Sequence, residues 1–510
     1  MTMLSRVLGL VRDVVFARVI GADGFADAFF VAFKIPNFLR RLFAEGAFSQ
    51  AFVPVLAEYR QNGGVEAVRE LTDRVAAALG SVLILLSVVA VVGAPVLTAV
   101  FAPGFVNDPV KFQAASDMIR VTFPYILFIS LTGLAGSVLN SFDRFAVPAF
   151  TPVWLNVCLI GAALVAAPWF EQPVYALAWG VLAAGIIQLL FQLPFLANIH
   201  QLPRPKLDMR HSGVRQVMAL MAPAIFGVSV SQINLLLDTV IASFLPTGSV
   251  SWLYYSDRLA ELPLGVFGVA AATVILPNLS RQHVAKSPQE FNATLNWALR
   301  FVMLIAVPAS VALIIVAEPV LAGLFYDGVE ITRRDITMAS WSLRAYAIGV
   351  TAFMLIKVLA PGYYARQDIR TPVRIGVIAM VANMVMNFAF VLPLHHYFLL
   401  GHSGLALATS MAALLNVALL YRGLRAQQVY TPDSRWRSLF GILILGTAVM
   451  AAVLIGALTY VDDWFVLGAL HRMLLVFALC LAGLLSYFVV LFLCGLRPAD
   501  FRHHSAAQTS

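Results

Sequence analysis

The chain has 510 residues, of which 61% are hydrophobic and only 12% charged, with a net charge of +8 and a mean hydropathy of +0.86. A soluble domain carries about 25% charged residues, and no water-soluble core could hide this much apolar surface. The composition excludes a soluble protein and predicts one that is mostly membrane.

Charge-poor runs of bilayer-spanning length recur from end to end. In chain order, spans are expected near 3 to 20, 27 to 57, 75 to 101, 116 to 141, 147 to 168, 174 to 197, 216 to 245, 250 to 280, 292 to 316, 337 to 364, 372 to 393, 403 to 425, 437 to 459 and 470 to 495. The expected fold class is an all-α polytopic membrane protein of about 14 transmembrane helices. The first span is expected to stay on the mature chain, because Arg6, Arg12, Asp13 and Arg18 interrupt the apolar stretch a leader would need.

Lys and Arg orient the spans. One set of loops and the C-terminal tail hold Arg60, Arg69, Arg74, Arg144, Arg204, Lys206, Arg210, Arg215, Arg281, Lys286, Arg366, Arg370, Arg422, Arg425, Arg435, Arg437, Arg497 and Arg502. The alternate loops hold Asp23, Asp108, Glu171, Asp462 and Asp463, with Lys111, Arg333 and Arg334 as their few basic residues. Both termini are therefore expected on the cytoplasmic side of the membrane. The positive charge is accounted for by this bias and by anionic headgroups, so no nucleic-acid partner is needed.

A repeat is legible. Phe52-Val53-Pro54-Val55-Leu56 closes the second span and Ile275-Leu276-Pro277-Asn278-Leu279 the eighth, with Pro277 223 residues after Pro54. The segments ending at Pro148 and Pro372, each carrying an Asp-Arg or Arg-Gln-Asp turn, stand 224 residues apart. Six spans per copy is an even number, so the copies share one orientation about a pseudo-two-fold axis along the membrane normal. The expected domains are an N-terminal lobe, 1–200, a C-terminal lobe, 201–426, and two last helices with a tail, 427–510, which read as a lipid-facing appendage.

A Lys or Arg at a span centre costs about 2.5–3.5 kcal/mol and needs a partner or a wet cavity. The first two spans nevertheless hold Arg6, Arg12, Arg18, Lys34, Arg40 and Arg41 against Asp13, Asp27 and Glu45, with Lys357 in the tenth. Arg6 and Arg12, six residues apart, border one broad face without stacking. Span eight adds Asp257, Arg258 and Glu261, the two carboxylates at i and i+4. Arginine forks suit a pyrophosphate, whereas a cation substrate would call for carboxylates. Helix-end snorkelling or internal ion pairs are the structural alternative, and for Asp27 a gate salt bridge is preferred to a metal. Pro36 and Gly46, Pro223 and Gly227, and Pro263, Gly265 and Gly268 mark bends at matching places in the two copies.

Cys158, Cys480 and Cys494 lie in apolar runs and read as packing. No phosphate loop or paired-His zinc motif is found, so neither an enzyme nor a cofactor is expected.

The stretches Ser5-Arg6-Val7-Leu8-Gly9, Asp27 to Asn37, Arg40 to Phe52 and Ala360-Pro361-Gly362-Tyr363-Tyr364-Ala365-Arg366-Gln367-Asp368 closely resemble the MurJ (MviN) family, and the likeness spans essentially the whole chain. The family's members usually have further residues before the Met1–Arg6 stretch, so an internal start is expected. The resemblance implies a lipid II flippase of the multidrug/oligosaccharidyl-lipid/polysaccharide exporter superfamily, carrying undecaprenyl-pyrophosphate-linked peptidoglycan precursor from the cytoplasmic to the periplasmic leaflet. It further implies head-group binding by Arg6, Arg12, Arg40, Arg41, Arg258 and Asn37, and gating or other functional roles for Asp27, Glu45, Ser251 and Glu261. Expected partners are lipid II, membrane lipids and the cell-wall synthesis machinery. A drug or cation antiporter of the same architecture and a non-transporting cell-wall scaffold are the competing readings.

Overall fold

The computed structural model describes residues 2–41, 48–265 and 269–496, so Glu45, Gly46 and Gly268 lie outside the described residues. The described elements are helical, with no strand among them, as an apolar environment that leaves no backbone donor unpaired requires. Two compact units divide at Ser251 and Trp252.

The first unit holds α1 (Thr2–Ile20), α2 (Gly24–Leu39), α3 (Phe48–Val92), α4 (Ala94–Phe101), α5 (Pro109–Thr122), α6 (Tyr125–Ser141), α7 (Ala146–Gly161), α8 (Pro173–Asn198), α9 (Ser212–Ala242) and the first turn of α10 (Ser249–Pro263). Its central helix is α2, buried on nearly every side from Ala26 to Pro36. Phe29 stacks on Phe33 at 5.6 Å and meets the edge of Phe16 from α1 at 5.6 Å. The second unit continues through α11 (Val269–Val284), α12 (Pro288–Phe325), α13 (Arg333–Tyr364), α14 (Arg370–Phe398), α15 (Gly401–Ala426), α16 (Arg435–Leu458) and α17 (Ala469–Leu493).

Among the described residues, ten helical stretches are long and apolar enough to cross a bilayer: α3, α5 with α6, α7 with its extension to Trp169, α8, and α12 through α17. Length and hydropathy therefore do not by themselves reach the expected count of 14. The expected spans outside this set fall on the first two helices of each sequence repeat. Charge or shortness explains most of them: α1 carries Arg6, Arg12, Asp13 and Arg18, α2 has 16 residues, and α10 has 15 with Asp257, Arg258 and Glu261 in them.

One boundary differs from expectation. The interval between the second and third expected spans is helix, since α3 runs from Phe48 to Val92 with a single break at Gly64, whose φ of 66° is open to glycine at little cost. The polar residues there support a helix instead of a loop: Arg74 reaches Glu70 one turn back at 2.6 Å, and the Asp73 carboxylate accepts the Arg204 amide at 2.7 Å.

The last two helices are apolar on their exposed face but are also firmly seated. Leu439, Leu443, Met450, Leu454, Leu479, Tyr487 and Leu491 pack with Leu304 and Val316 of α12, and the Tyr487 hydroxyl donates to the Leu304 carbonyl at 2.8 Å. At the start of α16 the buried Asn296 amide of α12 is a hub. Its Oδ1 accepts from Trp436 Nε1 at 2.8 Å and Tyr430 Oη at 3.1 Å, and its Nδ2 donates to the Thr431 carbonyl at 2.8 Å. Arg300 beside it pairs with Asp433 at 3.0 Å. Asn296→Leu is expected to lower stability by about 2–3 kcal/mol, because the buried donors on Trp436 and Tyr430 lose their acceptor; a melting shift below about 1 kcal/mol would show that the hub does not fasten α16.

Candidate functional site

The N-terminal turn of α2 is built around two aspartates. Asp23 caps the helix, its carboxylate accepting from the Ala26 amide at 2.8 Å. Asp27, 1% exposed, turns the other way and receives the start of α10: the Gly248 amide donates to Oδ2 at 2.8 Å, while the Ser251 amide at 3.0 Å and its hydroxyl at 2.7 Å both donate to Oδ1. The first amides of a helix have no intrahelical partner and carry its positive dipole end, so a carboxylate is the natural acceptor for them. Lys111 Nζ of α5 lies 3.6 Å from the same carboxylate. Asp27 and Ser251 are thus brought together directly, and the ion pair at Asp27 is with Lys111 of α5, not with an arginine.

On α1, Arg12 is 7% exposed and fully engaged. Its Nε and Nη2 donate to Asp13 Oδ1 at 3.0 and 2.7 Å, and its Nη1 donates to Asn156 Oδ1 of α7 at 3.0 Å. Asn156 in turn donates to the Ser5 carbonyl at 3.0 Å, closing a polar bridge between α1 and α7. The guanidinium also lies 5.5 Å from the Phe16 ring centre. Arg6, one and a half turns earlier, is half-buried and has no hydrogen-bonding or ionic partner among the described residues, while Arg18 is exposed. The two arginines that the sequence treats alike therefore differ: one is committed to the fold and one is available.

Further along α2, Lys34 donates to Thr239 Oγ1 of α9 at 3.2 Å, and Asn37 donates back to its own helix at Phe33 O, 3.0 Å away. At Arg40 and Arg41, the last described residues of this segment and both half-buried, the backbone takes π-type geometry. The same geometry recurs at Leu264 and Gly265 after α10, and position 264 is 224 residues after position 40, the offset of the sequence repeat. Such geometry occurs often at functional sites.

In the second unit, Arg258 of α10 is half-buried over Tyr254, 5.0 Å from its ring centre, and pairs with Glu261 at 3.1 Å. Asp257 is half-buried, and Lys357 of α13 is exposed. Asp368, in the Arg-Gln-Asp turn before α14, accepts from the Thr371 amide at 3.0 Å, and hydrogen bonds from Thr371 hold its carboxyl below the usual range.

Several polar partners escape a reading of spans. Lys111 and Asn156 are ordinary loop and helix residues in sequence, and only packing against α2 and α1 gives them roles. Arg472 is buried to 3% near the start of α17, with its guanidinium 4.6 Å from the Tyr326 ring centre, so the last two helices are not free of buried charge. Among the described residues, no group of three or more His, Cys, Asp or Glu is placed to hold a metal.

Residues 16–476 match the profile of the family described as Lipid II flippase MurJ. The chain belongs to the MurJ family. It is 49% identical over 98% of its length to the probable lipid II flippase MurJ of Vibrio cholerae, covering 96% of that protein. To the lipid II flippase MurJ of Burkholderia cenocepacia it is 44% identical, covering 99% of this chain and 97% of the other. A solved structure of a lipid II flippase MurJ in an inward closed conformation superposes with a TM-score of 0.80 at 27% identity, covering 96% of each chain. An inward-facing multidrug resistance transporter of the MATE family shares the fold at a TM-score of 0.67 and 14% identity, over 84% of this chain and 95% of that one. Family and helices together make the chain a multi-pass membrane protein of a transporter family.

Proposed function

We propose that this protein flips lipid II, the undecaprenyl-pyrophosphate-linked peptidoglycan precursor, from the cytoplasmic to the periplasmic leaflet of the bacterial inner membrane by alternating access. The observation that carries the reading is the match to MurJ relatives over nearly the full chain at up to 49% identity. The resident arginines support it chemically, because a diphosphate asks for cations that stay charged when partly desolvated.

In this reading the pyrophosphate is held by Arg6, Arg40, Arg41 and Arg258 with Asn37. Arg12 belongs to the same group and also anchors α1 to α7. Asp27, Ser251, Glu45 and Glu261 serve the gating, with the Asp27 contact to the start of α10 closing one end of the path. Both termini lie in the cytoplasm, the lobes divide as 1–200, 201–426 and 427–510, and the cell-wall synthesis machinery is the partner that uses the product.

Depletion of the protein in its native cell tests the proposal, with lipid II at the outer leaflet followed by an impermeant probe during complementation. Wild type is expected to restore accessibility and Arg6→Ala with Arg258→Ala to fail at equal protein level. Unchanged accessibility on depletion would overturn the flippase reading in favour of antiport or a scaffold.

A further inference from the structure

Lys111 is an unexpected residue where it stands. It lies in the first turn of α5, capped by Asp108, whose carboxylate accepts the Lys111 amide at 3.1 Å. A cation at a helix N-terminus opposes the dipole, and this one is also 7% exposed, so both position and burial disfavour it. What compensates is local. The ammonium stands 3.6 Å from Asp27 Oδ2, donates to Thr247 Oγ1 at 3.0 Å, and lies 4.9 Å from the Phe105 ring centre.

These partners belong to two different bodies of sequence. Asp27 sits on α2, which packs on α5, whereas Thr247 precedes α10 beside Gly248 and Ser251, the donors to Asp27. The approach is close: a Cβ on Gly24 would stand 3.2 Å from Lys111 Cε and 3.8 Å from Thr247 Cγ2. Next to it the Gly104 amide donates to Ser243 Oγ at 3.0 Å, so the chain between α4 and α5 grips the turn from α9 to α10 at a second point.

We propose that Lys111 is a positioning residue of this contact: it supplies the counter-charge that lets a buried Asp27 act as acceptor for the start of α10, and it ties Thr247 to the same point, so that it favours the closed arrangement of this end. The inference deepens the alternating-access reading and rests on it. When the segment 247–251 withdraws, Lys111 loses Thr247 but keeps Asp27, so its removal weakens the closed arrangement more than the open one.

The test reads that equilibrium without any lipid substrate. Ser249, fully buried in this arrangement, is changed to Cys in full-length protein lacking Cys158, Cys480 and Cys494, placed in nanodiscs and labelled with a hydrophilic maleimide that reaches both faces. Lys111→Met is expected to speed labelling by about tenfold, the factor that ~1.4 kcal/mol produces. Lys111→Arg should have a smaller effect, and in an Asp27→Asn background Lys111→Met should add little. An unchanged rate in folded Lys111→Met protein, or full additivity with Asp27→Asn, overturns the proposal. Should Lys111→Met fail to fold, Thr247→Val decides: it leaves the ion pair and removes only the tie to the α10 segment, and a rate equal to that of the parent overturns the proposal. Because labelling needs no lipid II, loss of the flippase reading and loss of this one are separable results.

Discussion

Arg12→Ala is expected to lower both the stability of the folded protein and lipid II movement, whereas Arg6→Ala lowers movement alone. The difference follows from their surroundings. Arg12 is 7% exposed and Asp13 2%, and the guanidinium neutralises that carboxylate at 2.7 Å while holding Asn156 of α7. Truncating one member of a buried pair leaves a charge in a poor solvent, at a cost of about 3–5 kcal/mol. Arg6 has no such partner among the described residues, and its removal should change stability by no more than about 0.5 kcal/mol. Thermal unfolding of the purified variants, with outer-leaflet lipid II accessibility alongside, separates the two. Adding Asp13→Asn to Arg12→Ala is expected to recover much of the stability and none of the movement. Movement that returns with stability would make Arg12 a structural residue only, and an Arg12→Ala protein as stable as wild type would show that the α1–α7 bridge does not hold the fold.

Asp27→Ala is expected to have the second large effect. The substitution removes the acceptor of the Gly248 amide, the Ser251 amide and the Ser251 hydroxyl, and leaves the Lys111 ammonium without its carboxylate. Each buried neutral donor left unmatched costs about 1–3 kcal/mol, with the unpaired cation adding more. The contact between Asp27 and the start of α10 should be lost before the helices around α2 unfold, because those helices keep their apolar packing. Transport is therefore expected to fall by at least about tenfold, with a melting shift smaller than that of Arg12→Ala. Asp27→Asn keeps an oxygen acceptor and should be intermediate. Wild-type transport in Asp27→Ala would separate this contact from the transport cycle.

The fold class was legible in the chain because hydropathy is a local property: each apolar run announces a helix irrespective of its neighbours, and among the described residues helices lie on every stretch where a span is expected. The 223–224 offset was legible for the same reason, and the paired π-type turns at Arg40 and Leu264 repeat it in the backbone. Charge in the first helices singled out Arg12 and Asp27 before any packing was known. Tertiary structure decided which of these charges are already spent. Asn156 is 144 residues from Arg12, a separation that no repeat or periodicity marks; Ser251 is 224 from Asp27, the offset of the repeat, yet that spacing makes the two positions equivalent and does not say that they touch, because contact depends on how each helix is rotated about its axis and where its end stops. The helical crossing of the polar interval in α3, the seating of α16 and α17 on α12, and the burial of Lys111 and Arg472 were hidden likewise: hydropathy reports how much a residue dislikes water, and only packing supplies the partner that lets a charged one do without it.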